Sequence, residues 1–280
     1  MGLDERGDIA ILEIIVYTPI LVSSGFLIFR HGLTRNAGWI FLLILSIVRI
    51  VGGSIHLASE VGDPDNITLR IVFGILEAAG LSPLLLATIG FLRTIAERAF
   101  EGKVTRLLHA FGLLSGIALA LSITGGTKLA NAHGDQTELD QGTTFKHVGA
   151  VLFLVLYVLV VIMHGIYWLR RHEIMKNRRK LLLGVSAALP FLFLRLLYSV
   201  LSAYAPINPN DKSGLANFNS STGKWYIYLI MGVLAELIVV LIYTFIGITV
   251  PLQEDYKSTR MEHWEGEEPT DKQHMLPYGP

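Results

Sequence analysis

Seven apolar stretches, each about 20 residues or longer, take up most of a 280-residue chain and fix what it can fold into. A helix needs roughly 20 apolar residues to cross a hydrocarbon core, and backbone in lipid must satisfy its hydrogen bonds internally. The stretches cover about 8–29, 37–59, 69–93, 104–124, 144–168, 180–204 and 224–250. They predict an all-α integral membrane protein, one seven-transmembrane-helix bundle over 1–252. Connections are short apart from 125–143 and 205–223, which leaves no room for a soluble domain. Acid-rich and poor in apolar residues, 253–280 reads as a disordered tail. The composition agrees, with 52% hydrophobic and only 16% charged residues. Acids between Met1 and Asp8 and a long first stretch argue against a cleaved signal peptide.

Short loops rich in Lys and Arg stay in the cytosol. One set of loops collects twelve such residues, six of them in the block Arg170, Arg171, Lys176, Arg178, Arg179 and Lys180. The other set has six: Arg6, Arg70, Lys128, Lys146, Lys212 and Lys224. The amino terminus is therefore read as lumenal or extracellular and the tail as cytosolic. Two sequons, Asn66-Ile67-Thr68 and Asn219-Ser220-Ser221, fall in loops that this topology makes lumenal, so Asn66 and Asn219 are candidate glycosylation sites in the endoplasmic reticulum. The basic block is read as a surface contact for anionic lipid. Zero formal net charge argues against a nucleic-acid partner, and the lack of cysteine excludes disulfides, thiol catalysis and thiolate metal sites.

Ionisable residues inside a span cost free energy unless they are paired or face water. Arg49, His56 and Glu60, seven and four residues apart, share one face of the second span. Glu77 precedes Pro83 in the third, a proline that frees a carbonyl and can kink the helix. Arg195 and Tyr198 follow Pro190 in the sixth, Glu236 is near the middle of the seventh, and Glu13 and Tyr17 are four apart in the first. All lie between the membrane centre and the lumenal end, where one polar cavity would hold them. Glu13 and Glu60, closer to that end, are the weaker candidates. His109, His147 and His164 read as interfacial or internally satisfied. Simple pairing of Arg49 and Arg195 with Glu77 and Glu236, locking helices together, is the competing explanation for the charges.

Several functions lack their residues. The last span has no lysine for a retinal Schiff base. The third closes on Gly90-Phe91-Leu92-Arg93 and the seventh on Ile246-Gly247-Ile248, neither resembling the motifs of ordinary seven-helix receptors. No span has the paired histidines of a zinc hydrolase, so neither a metal nor another cofactor is expected. A small-molecule transporter or receptor with a polar midplane site stays open, since Pro83 and Pro190 suggest broken helices three spans apart.

The segments Glu77-Ala78-Ala79-Gly80-Leu81-Ser82-Pro83-Leu84-Leu85-Leu86-Ala87-Thr88 and Leu189-Pro190-Phe191-Leu192-Phe193-Leu194-Arg195-Leu196-Leu197-Tyr198-Ser199 resemble a fungal family of seven-helix membrane proteins. That family includes the membrane-bound terpene cyclase of ascofuranone biosynthesis. The resemblance implies acid-initiated opening of an epoxide on a lipophilic prenyl-aromatic (meroterpenoid) substrate, without a cofactor. Such chemistry needs a carboxylic acid that keeps its proton, which an adjacent arginine opposes. On this expectation Glu77 is the acid, and Arg195 and Tyr198 organise Glu236, with Arg49 and His56 completing the set. Tyr17, Phe73, Phe191, Phe193, Trp225 and Tyr226 are candidates to line the cavity and stabilise positive charge with their ring faces.

Overall fold

The computed structural model describes residues 5–31, 37–61, 67–96, 102–132, 135–206, 214–219 and 223–250; Asn66 and the tail from Gln253 lie outside them. Among the described residues the chain is helical, and seven helices are long and apolar enough to cross a membrane. The protein is a multi-pass membrane protein. The first two spans are α1 (Glu5–His31) and α2 (Ala37–Val61). The third is α3 (Ile67–Ala79) followed by α4 (Leu81–Ala96). The next three are α5 (Gly102–Asn131), α6 (Gln136–Leu169) and α7 (Lys176–Ala203). The last is composite: α8 (Trp225–Ile227), a π-helical stretch (Tyr228–Leu234) and α9 (Ala235–Thr249). The bundle end where α1 starts is called here the N-terminal face.

At the centre is α4, apolar on every side, with only Leu86 and Arg93 of its sixteen residues not buried. It packs on α2, α5, α6 and α7. Ser82 meets Ser115 of α5 at 3.1 Å, and Thr88 meets the Tyr243 hydroxyl of α9 at 2.8 Å. In lipid, such small polar contacts and close packing hold helices together where apolar burial has no driving force. Outward-facing Phe29, Leu113, Leu169 and Phe245 are exposed, which suits lipid as the solvent.

The third span differs from the expected kinked helix. Its break falls at Gly80, and Pro83 sits in the first turn of α4, where a missing N–H costs nothing. Pro190 lies within an unbroken α7, so the two prolines occupy unlike positions and give no repeat. The long connection expected over 125–143 is largely helix. Asp135 caps α6 by accepting from the Thr137 amide at 2.9 Å, and Lys128 bridges the hairpin to Glu138 at 2.8 Å.

Glycine lets α5 and α6 approach backbone to backbone. A Cβ on Gly125 would stand 2.7 Å from both the Gly142 carbonyl oxygen and the Lys146 amide nitrogen, whereas one on Gly116 would meet nothing within 4 Å. Gly125→Ala is expected to cost about 1–3 kcal/mol and Gly116→Ala close to nothing. Thermal unfolding of the detergent-solubilised variants measures the difference.

Candidate functional site in the charged layer

Arg49 of α2, Glu77 of α3, Arg195 of α7 and Glu236 of α9 come from four spans and meet at one point, each at most 4% exposed. Glu236 accepts hydrogen bonds from Arg49 Nε and Nη2 at 2.5 Å each, from Arg195 Nε at 2.9 Å and from the Tyr17 hydroxyl at 2.9 Å. Glu77 accepts from Arg49 Nη1, from Arg195 Nη2 at 2.9 Å and from the Tyr228 hydroxyl at 3.1 Å. Each guanidinium thus bridges both carboxylates, using the planar donor fork that lysine lacks.

Local backbone builds this arrangement. The break at Gly80 brings bare backbone against Arg49, where a Cβ would stand 3.0 Å from Nη2 and 3.3 Å from Cζ. The same break frees carbonyls at the end of α3, and Arg195 Nη2 donates to that of Glu77 at 2.9 Å. The π stretch carries Tyr228 to Glu77, while Glu236, in the first turn of α9, reaches both arginines. Pi-helical insertions recur at functional positions because they re-aim side chains.

Glu13 is the fifth charged member. It is 3% exposed, and its Oε1 lies 3.7 Å from Arg49 Nη1 with no hydrogen-bond partner among the described residues. Burial removes the reason for ranking it below Glu77. Two guanidinium groups therefore face three carboxyl groups, of which Glu77 and Glu236 are tied to both arginines.

A second layer covers the charges toward the N-terminal face. Ile9, Phe73 and Val233 each lie one turn from Glu13, Glu77 and Glu236 on the same span, and Tyr198 lies one turn from Arg195. With Tyr228 they form an apolar cluster distinct from the main core. His56 packs tilted against Phe73, with ring centroids 4.4 Å apart and its Nε2 3.0 Å from Glu60.

Three expectations about the site need correction. Glu77 is not kept away from arginine but bound by both. Tyr198 does not organise Glu236, a position taken by Tyr17; its hydroxyl has no hydrogen-bond partner among the described residues, and its ring lies 5.8 Å from the Arg195 guanidinium. Phe193, Trp225 and Tyr226 are each more than 40% exposed, on the outside of the bundle. Tyr228, which the sequence reading passed over, sits inside. Asn219 is half-buried and donates to the Pro206 carbonyl at 3.2 Å. On the opposite half of the bundle, His164 meets the Ser186 hydroxyl at 2.9 Å and accepts from the Trp168 indole at 3.0 Å.

Comparison with known families gives one match. Residues 3–254 fit the family described as Domain of unknown function (DUF7702). The chain belongs to this family. The match takes in all seven spans, so family membership is a property of the whole bundle rather than of one motif. No curated protein matches, and no solved structure matches.

Removing one partner from a buried ion pair leaves an uncompensated charge and typically costs about 3–5 kcal/mol. Glu236→Gln and Arg195→Met are each expected to destabilise by that order. The double variant should lose less than the sum, by about 1–3 kcal/mol. A double-mutant cycle on detergent unfolding free energies measures this coupling, and strict additivity would contradict the shared lattice.

Proposed function

We propose that the protein is a membrane-bound cyclase that opens an epoxide on a lipophilic prenyl-aromatic substrate, with Glu13 as its proton donor. The surplus of one carboxyl over the guanidinium groups carries this reading. Arg49, Arg195, Glu77 and Glu236 balance as two cations and two anions, and a further bare charge in so dry a site is costly. A proton on Glu13 restores neutrality and is the equivalent that acid-initiated opening consumes.

The chemistry balances without an added reactant. Glu13 protonates the epoxide oxygen, the C–O bond breaks, and an alkene π pair forms the new C–C bond. The resulting cation loses a proton to a carboxylate, so substrate and product are isomers. Tyr228 and Phe73 offer ring faces to the intermediate. The fungal resemblance of the two proline-bearing segments supports the same reading.

Two of the spans carrying the charges are interrupted, one at Gly80 and one by the π stretch. This favours, as a second reading, a transporter or receptor whose polar ligand competes for the arginines. We also propose that the N-terminal face is lumenal in the endoplasmic reticulum and the tail cytosolic, on the strength of the Lys and Arg asymmetry. Glycosylation at Asn66 and Asn219 follows from that orientation. A gel shift removed by endoglycosidase and absent in the Asn66→Gln, Asn219→Gln double variant is the expected result; a cytosolic amino terminus in a protease-protection assay would reverse the topology.

Microsomes bearing wild type, Glu13→Gln, Glu77→Gln and Glu236→Gln, incubated with an epoxidised farnesyl phenol, test the chemistry. Wild type is expected to give ring-closed product. Glu13→Gln, expressed at the wild-type level, should lose at least about 100-fold in rate, while the other two variants should lose stability together with activity. Failure of well-expressed wild type to turn over this substrate or its hydroxylated analogue would exclude this cyclisation and leave the ligand-binding reading.

A further inference from the structure

Tyr198 carries a polar group that neither the fold nor the acid chemistry uses. The residue is 2% exposed, and its hydroxyl has no hydrogen-bond partner among the described residues. A buried donor left unmade costs free energy, so its place in the structure calls for an explanation. Its surroundings are those of the second layer: Phe73, Tyr228, Val233 and Ile9, with the Tyr228 ring centroid at 6.1 Å. Gly232 of the π stretch packs against both tyrosines, where a Cβ would stand 3.2 Å from Tyr228 Cδ2 and 3.6 Å from Tyr198 Cε1.

Glu13 Oε1 is likewise without a hydrogen bond, one turn from Ile9 on the same layer. The side-chain oxygens and nitrogens of Arg49, Glu77, Arg195 and Glu236 all have partners. The two unsatisfied groups therefore border one apolar, aromatic patch.

We infer that the second layer is a ligand subsite in which the Tyr198 hydroxyl donates to a neutral acceptor oxygen, an ether, epoxide or carbonyl, on an isoprenoid-like apolar body. The inference rests on the proposed reading for what happens next, but binding itself needs no turnover. Tyr198 is here a positioning residue: it holds the oxygen-bearing end of the ligand in the layer beside Glu13. An anionic headgroup is disfavoured, because Glu13, Glu77 and Glu236 lie directly beneath and the guanidinium donors are already engaged.

Detergent-purified wild type and Tyr198→Phe are titrated with farnesylacetone, whose only polar atom is an acceptor oxygen, and with the saturated hydrocarbon farnesane, read by thermal shift and by quenching of intrinsic fluorescence. Wild type should bind the ketone about three- to tenfold more tightly than the hydrocarbon. Tyr198→Phe should lose that preference, bind the hydrocarbon unchanged, and be no less stable than wild type without ligand. Equal affinity of wild type for both compounds, or a ketone preference that survives in Tyr198→Phe, would overturn the subsite. So would a ligand-free Tyr198→Phe of lowered stability, which would mean that the hydroxyl already serves the fold. Absence of ring-closed product alongside a Tyr198-dependent ketone preference would remove the cyclase chemistry and keep the subsite.

Discussion

Four charges in a low-dielectric interior, each ion-paired with groups from other spans, are the constraint around which this bundle is organised. Arg49 and Arg195 both reach Glu77 and Glu236, so no helix among α2, α3, α7 and α9 can move far without breaking a charge-assisted bond. Outside the membrane such pairs are worth little, because water competes for every donor. Here the alternative is an isolated ion in hydrocarbon, which makes the lattice strongly specific even where its net contribution to stability is small.

That lattice explains the irregular backbone nearby. A side chain at residue 80 would crowd the Arg49 guanidinium, and a continuous helix would engage within itself the Glu77 carbonyl that Arg195 now caps. The π stretch likewise gives up regular hydrogen bonding and carries Tyr228 to Glu77, next to the turn that presents Glu236 to both arginines. These departures cluster on the charged layer, while α4 below it is regular and closely packed. One end of the bundle is thus built for rigidity, and the other concentrates polar groups and backbone irregularities.

Much of this was legible in the sequence. Length and hydropathy of the apolar runs decide the seven spans, and the rarity of intramembrane charge singles out Arg49, Glu77, Arg195 and Glu236. What composition cannot convey is how a planar guanidinium divides its donors, so the expectation that Glu77 would serve as the acid while Arg195 organised Glu236 met a geometry in which both arginines bind both carboxylates. Glu13 was undervalued because distance from the span centre is a poor guide to burial when α2 packs alongside. Tyr228 was missed because the π stretch has no composition signal: Tyr228 to Leu234 reads as ordinary apolar helix. Most of the connection expected at 125–143 belongs to α5 and α6, where Gly125 and Gly142 allow close backbone contact that hydropathy scores only as weakness.

The long sequence separation within the lattice also bears on how the chain enters the membrane. Glu236 arrives 187 residues after Arg49. With every cluster member counted as ionised, the buried charge stands at −1 once α1 is in place, 0 after α2, −1 after α3, 0 after α7 and −1 after α9. Acid and base alternate along the chain, so insertion in chain order never leaves more than one unbalanced charge in the lipid. The order of the helices is thus itself an electrostatic design, one that a circular permutant beginning at α3 or at α9 would not share, because its running charge would reach −2.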